Sequence, residues 1–201
     1  VKQSFVAGKI QETLLGGNEE IQIGGEYGGL NMILASGKSA SASHLTPTDK
    51  KFLEDEGTII ELGGVKHRYH CALSRTVYIG KADPKIDDTL KITNEGVEKA
   101  IEATKPGNTC HDVAIAFWSV LEKYGLEKES RCGYSIGIGY PPDWGEHTLS
   151  IRKNEMTVLH PNVTYHLMAG MWMDKWGLEI SESIRVTEKG CELFCDFPRS
   201  L

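Results

Sequence analysis

Apolar residues recur at helical spacing from Val6 to Leu15, and Gly16-Gly17 ends that pattern. Gly24-Gly25 and Gly28-Gly29 mark a turn-rich stretch leading into the apolar run Leu30 to Ala35. Thr58-Ile59-Ile60-Glu61-Leu62 is a β-branched, apolar strand candidate; Gly63-Gly64 predicts a break, and Tyr69 to Ile79 a second strand. From Ile86 to Ala103 the period returns to helical, with Leu90, Val97, Ala100 and Ile101 on one side and Pro106-Gly107-Asn108 as the stop. Thr109 with Asp112 three residues on reads as an N-cap to a further helix. That helix carries Val113, Ala116, Phe117, Val120 and Leu121 on one face and ends at Gly125. Strands follow near Val163 to Trp172 and Leu178 to Thr187.

The order helix, hairpin, paired helices, hairpin repeats itself once, with Gly57 to Glu61 answered by Asn162 to His166. This weak internal symmetry predicts an α+β domain whose strands line a central site. Between the last two blocks lies Gly133-Tyr134-Ser135-Ile136-Gly137-Ile138-Gly139-Tyr140-Pro141-Pro142-Asp143-Trp144-Gly145-Glu146-His147. It reads as a glycine-rich loop that lets backbone approach a ligand and sets two aromatic rings and an acid beside it.

With 201 residues, 40% hydrophobic and 25% charged, the chain suits one well-filled core. The net charge of -6, with lysines interleaved among acids, disfavours a nucleic-acid or anionic-membrane partner. No apolar run is long enough to span a bilayer and the opening residues lack signal-peptide form, so a cytoplasmic protein is expected. Five scattered cysteines point to reduced thiols rather than a disulfide framework. Beginning at Val1, the chain is expected to be a fragment of something longer.

These features together resemble the creatinase and aminopeptidase P family over nearly the whole chain. His44 with Thr46-Pro47-Thr48-Asp49 is similar to that family's cleft histidine and following turn, and Glu61-Leu62-Gly63 through Arg75-Thr76 to its first metal-binding hairpin. The resemblance implies a pita-bread fold of two pseudo-symmetric halves around a cleft, preceded by a smaller N-terminal domain, and a homodimer. Metal-dependent members use two aspartates, one histidine and two glutamates. Here those positions fall on Glu61, Ala72, Tyr134, on or beside Met168, and on Ser181 or, with a one-residue shift, Glu182. Hard divalent cations need several converging oxygen or nitrogen donors, so neither a metal nor another cofactor is expected.

Within the family the chain resembles the metal-independent ectoine hydrolase branch. The similarity lies in Arg68-Tyr69-His70-Cys71, Leu73-Ser74-Arg75-Thr76, the Tyr140-Pro141-Pro142-Asp143-Trp144-Gly145-Glu146 run, Gly177-Leu178-Glu179-Ile180 with Glu182, and Phe197-Pro198-Arg199. It implies hydrolytic opening of a small zwitterionic cyclic amidine. Glu61 is then the nucleophile or the base that activates water, His44 and His166 shuttle protons, Tyr134 donates to the departing nitrogen, and Glu182 is a further catalytic acid candidate. Tyr140, Trp144 and Trp172 offer π faces to the cation, and Asp143 and Glu179 offer carboxylates. Arg75 is read as a structural ion-pair partner, and Trp172 with Trp176 also as packing or dimer surface. The competing expectations are an Xaa-Pro dipeptidase and a catalytically silent binding module on the same scaffold.

Overall fold

A computed structural model describes residues 1–17, 20, 26–29 and 32–201. The turn expected at Gly24-Gly25 and the start of the apolar run at Leu30 lie outside the described residues. Helix α1 (Gln3–Gly16) begins earlier than its apolar spacing suggests. Its one buried residue is Gln3, whose amide donates to Ser36 Oγ at 2.9 Å and accepts from the Thr48 N–H at 3.0 Å. A polar anchor rather than an apolar face seats its first turn.

Strand β1 (Ile33–Ser36) pairs with β2 (Gly57–Lys66), which forms a ten-residue hairpin with β3 (Tyr69–Tyr78). The expected break at Gly63-Gly64 is absent: β2 runs through both glycines, and the chain reverses at His67 and Arg68, both with positive φ. The glycines are there for contact. A Cβ on Gly63 would stand 2.7 Å from the Trp144 ring, so the bare strand face is the seat of that indole.

Helices α2 (Pro84–Ala103) and α3 (Cys110–Lys123) follow. Asp83 caps α2 by accepting from the Lys85 N–H at 2.8 Å, with Pro84 in the first turn, where its missing N–H leaves nothing unpaired. The Thr109–Asp112 capping box on α3 forms in both directions, and Gly125 beyond its end has φ 67°. Val97, Phe117 and Leu121 of this pair pack with Tyr165, Leu167 and Ile184 of the sheet in the main core.

The stretch expected as a glycine-rich loop is a hairpin, β4 (Gly133–Tyr140) and β5 (Asp143–Ser150), turning at the prolines. The long hairpin β6 (Thr164–Trp172) and β7 (Gly177–Val186) comes next, with the short β8 (Cys191–Leu193) at the edge. Described strands form one antiparallel sheet in the order β1-β2-β3-β4-β6-β7-β8, with β5 on β4. Strand β3 meets β4 in register only at Tyr69 and Ile138. Beyond that point its backbone is served by side chains of β7. Ser183 Oγ takes the Ala72 N–H and returns a proton to the Ala72 carbonyl; Ser181 Oγ takes the Ser74 N–H at 2.6 Å. Thr76 Oγ1 exchanges bonds with the Glu179 backbone. This hydroxyl seam satisfies buried amides without a ladder and joins the two long hairpins at the candidate site. No described helix is long and apolar enough to cross a membrane.

Candidate active site

A cavity of about 440 Å³ opens beside β4 and β5. Five of the ten residues expected at the site line it: His44, Tyr134, Asp143, Trp144 and Trp172. A larger hollow of about 620 Å³ lies elsewhere, walled by Tyr69, Ile138 and Phe194 among others. None of those ten residues reaches it, and the smaller cavity is the candidate site.

Tyr134 organises the wall. The Trp144 indole can only donate, and it donates to the Tyr134 hydroxyl at 2.8 Å. The same hydroxyl lies 3.0 Å from His166 Nδ1, which in turn lies 3.9 Å from Glu61 Oε1. Glu61, His166 and Glu179 thus form a second layer behind the cavity wall, each almost wholly buried. Burial pushes the His166 imidazole down to about 3, so the ring is neutral. Burial, with the charge on Glu61 adding to it, pushes the Tyr134 phenol well up. Burial first and then Glu179 hold the Glu61 carboxyl well above the ordinary carboxylate range. Glu179 is raised by burial to about 7, against the pull of Lys128. Lys128 is itself buried, its ammonium donating to Ser130 Oγ and the Gly170 carbonyl, both at 2.7 Å.

This layer has a signed pH signature. A carboxyl raised from 4.5 to about 7 favours the folded state below pH 4.5, and that stability is lost as pH rises through 7. Glu179→Gln is therefore expected to flatten the decline between pH 4.5 and 7 and to gain on the order of 2–3 kcal/mol over wild type at pH 8. Urea midpoints at pH 5 and pH 8 check it; equal wild-type and variant slopes would refute it. His166 runs the other way, since its lowered value removes stability as pH falls from 6.5 toward 3.

At the mouth, burial alone would raise Asp143, but the Gly145 N–H and His147 Nε2, each at 2.8 Å, bring it below its usual value. Its carboxylate is already matched. Two expected site residues lie elsewhere. Tyr140 projects outward, 71% exposed, its ring 5.2 Å from that of Tyr27, because the tight proline turn carries it past the rim. Glu182 is clamped between Arg75 at 2.8 Å and Arg199 at 2.7 Å, an ion cluster on the far side of the hydroxyl seam. Arg75 also donates to the Phe197 and Pro198 carbonyls, which bears out its structural reading. Met168, which the resemblance placed on or beside a donor position, lines the cavity, as does Arg131, for which adjacency to the Gly133 stretch was the one clue in the sequence.

The positions that the resemblance assigns to metal donors do not suit a cation. Ala72, Tyr134 and Met168 pack with Ile136 and Trp144 into a separate buried cluster. A methyl and a thioether offer nothing to a hard ion. Among the described residues no group of three or more His, Cys, Asp or Glu side chains converges on a metal position.

Residues 1–188 match the model of metallopeptidase family M24, and the chain belongs to that family. It is 48% identical over 179 residues to the ectoine hydrolase of Halomonas elongata, covering 89% of this chain and 45% of that one. It is 24% identical over 180 residues to the Xaa-Pro dipeptidase of Pyrococcus furiosus, covering 89% and 51%. The chain thus spans about half the length of the curated relatives it matches. Among solved structures, the dipeptidase PepE of Mycobacterium ulcerans superposes with a TM-score of 0.88 at 22% identity, covering 100% of this chain and 52% of that one. The N-terminal domain of the FACT complex subunit SPT16 from chickpea does so at 0.83 and 17%, covering 96% and 49%. These likenesses establish the α+β pita-bread architecture.

Proposed function

We propose that this chain is the catalytic part of a metal-independent hydrolase that opens the cyclic amidine of ectoine or hydroxyectoine to an N-acetylated diaminobutyrate. The observation that carries the reading is that Ala72, Tyr134 and Met168, at positions where a cation would need donors, pack with Trp144 and Ile136 into an apolar cluster. Similarity to the Halomonas elongata ectoine hydrolase supports the substrate. Water adds to the amidinium carbon, its proton leaves toward Glu61, and collapse of the adduct breaks one ring C–N bond as the departing nitrogen takes a proton. Glu61 lies one side chain behind the wall. Its place behind Tyr134 and His166 favours a role as base over direct attack, with Tyr134 and His44 as the groups facing the ring. Trp172 supplies an aromatic face at the cavity, and the buried Trp144 ring backs the wall and holds the Tyr134 hydroxyl.

The remaining expectations belong to the same proposal: two pseudo-symmetric halves presenting the β2–β3 and β6–β7 hairpins, a smaller N-terminal domain, and a cytoplasmic homodimer. Incubating the full-length protein with ectoine in excess chelator tests the reading, with ring-opened product formed at the chelator-free rate as the expected result. Loss of turnover in chelator would favour a peptidase-like metal enzyme, and binding without product a silent module.

A further inference from the structure

The charges around the cavity do not balance. Among the described residues its one carboxylate, Asp143, is engaged by His147 and the Gly145 amide. Arg131 also lines it, its guanidinium carbon 4.5 Å from the centre of the Tyr134 ring. A cation held over a ring face is fixed in place without using its N–H donors. Among the described residues, no carboxylate lies within ion-pair distance of Arg131. In the adjoining hollow Lys128, Arg152 and Lys153 outnumber Glu129, so this side of a protein of net charge -6 is locally positive. An exposed guanidinium steered by the Tyr134 ring, with no ion-pair partner among the described residues and facing a cavity whose own acid is matched, is a receptor for an anion brought by the ligand.

We propose that Arg131 is the specificity-determining residue of the cavity, holding the ligand's carboxylate in front of Tyr134 so that the rest of the molecule lies toward Trp172. A carboxylate on the Arg131 side sets the cationic ring toward the tyrosine and the acids behind it, which fixes the direction in which a zwitterion enters. The ligand's identity rests on the ectoine reading; the carboxylate contact does not.

Calorimetry on the full-length protein with ectoine and with the same ring lacking its carboxylate, 2-methyl-tetrahydropyrimidine, tests both. Arg131→Met is expected to weaken ectoine binding about 10- to 100-fold while changing the carboxylate-free ring less than twofold, with Arg131→Lys in between. Equal affinity of wild type and Arg131→Met for ectoine would overturn the proposal. If wild type binds neither ring, the ectoine reading fails by itself. The carboxylate contact is then decided by the Arg131 side-chain nitrogen resonance, assigned with Arg131→Lys and titrated with acetate against chloride at equal ionic strength. A saturating shift with acetate alone supports the contact; identical behaviour in the two salts overturns it.

Discussion

Replacing Glu61 by glutamine is expected to lower turnover of the cyclic amidine by about 10²- to 10⁴-fold, the range removed with a general base, while the protein stays folded and binds substrate. The second half of that expectation comes from the environment. Burial and the neighbouring Glu179 hold the Glu61 carboxyl well above the ordinary range, which favours its uncharged form, and an uncharged glutamate differs from glutamine by one polar group. The substitution therefore leaves no charge stranded in the second layer. Steady-state kinetics beside calorimetry of the same sample checks it. Unchanged turnover would remove Glu61 from the chemistry; loss of folding would mean that its burial has been misread. The same environment gives the reaction a pH direction: the ionised base forms only as pH rises, so wild-type turnover should climb on the alkaline side.

The second large effect concerns the cluster behind the hydroxyl seam. Glu182→Ala removes the one carboxylate between Arg75 and Arg199, whose side chains are 7% and 17% exposed. A guanidinium left unpaired at such depth costs about 3–5 kcal/mol, a large part of the 5–15 kcal/mol of a typical domain. The urea midpoint should fall accordingly. Residues 197–199 should become protease-sensitive, because Arg75 holds the Phe197 and Pro198 carbonyls through the same guanidinium. A catalytic acid would behave in the opposite way, losing turnover at constant midpoint. An unchanged midpoint and an intact tail would sink the structural assignment.

Elements with a strong local period were readable from the chain alone. Both α2 and α3 carry a caps-and-stripe pattern, and the two long hairpins carry β-branched runs. Misreadings gathered where glycine served a contact rather than a turn. Gly63 looks like a break until the Trp144 ring is placed on it, and Gly133, Gly137 and Gly139 look like a loop although they sit in a strand. No local pattern separates those uses, because the contact lies elsewhere in the chain: Trp144 for Gly63, His166 and Ile151 for Gly133, Glu146 for Gly137.

The candidate site divided in the same manner. Residues tied to one local motif, Asp143 and Trp144, fell at the cavity. Tyr140 of the same run and Glu182 of the β7 motif did not, because membership of a motif does not tell which edge or face of the sheet a side chain takes. Arg131 and Lys128 were invisible for the converse reason: an isolated basic residue in a chain with 22 of them has no signature until its neighbours are known.

The indole lodged against the bare Gly63 face makes this architecture hard to reverse by degrees. Restoring oxygen donors at 72 and 168 while the ring remains would bury acids in an oily plug. Deleting the ring first would open a void beside Tyr134 and strip its hydroxyl of a partner. Building a cation site into this wall therefore demands several exchanges made together, none of which is favourable alone.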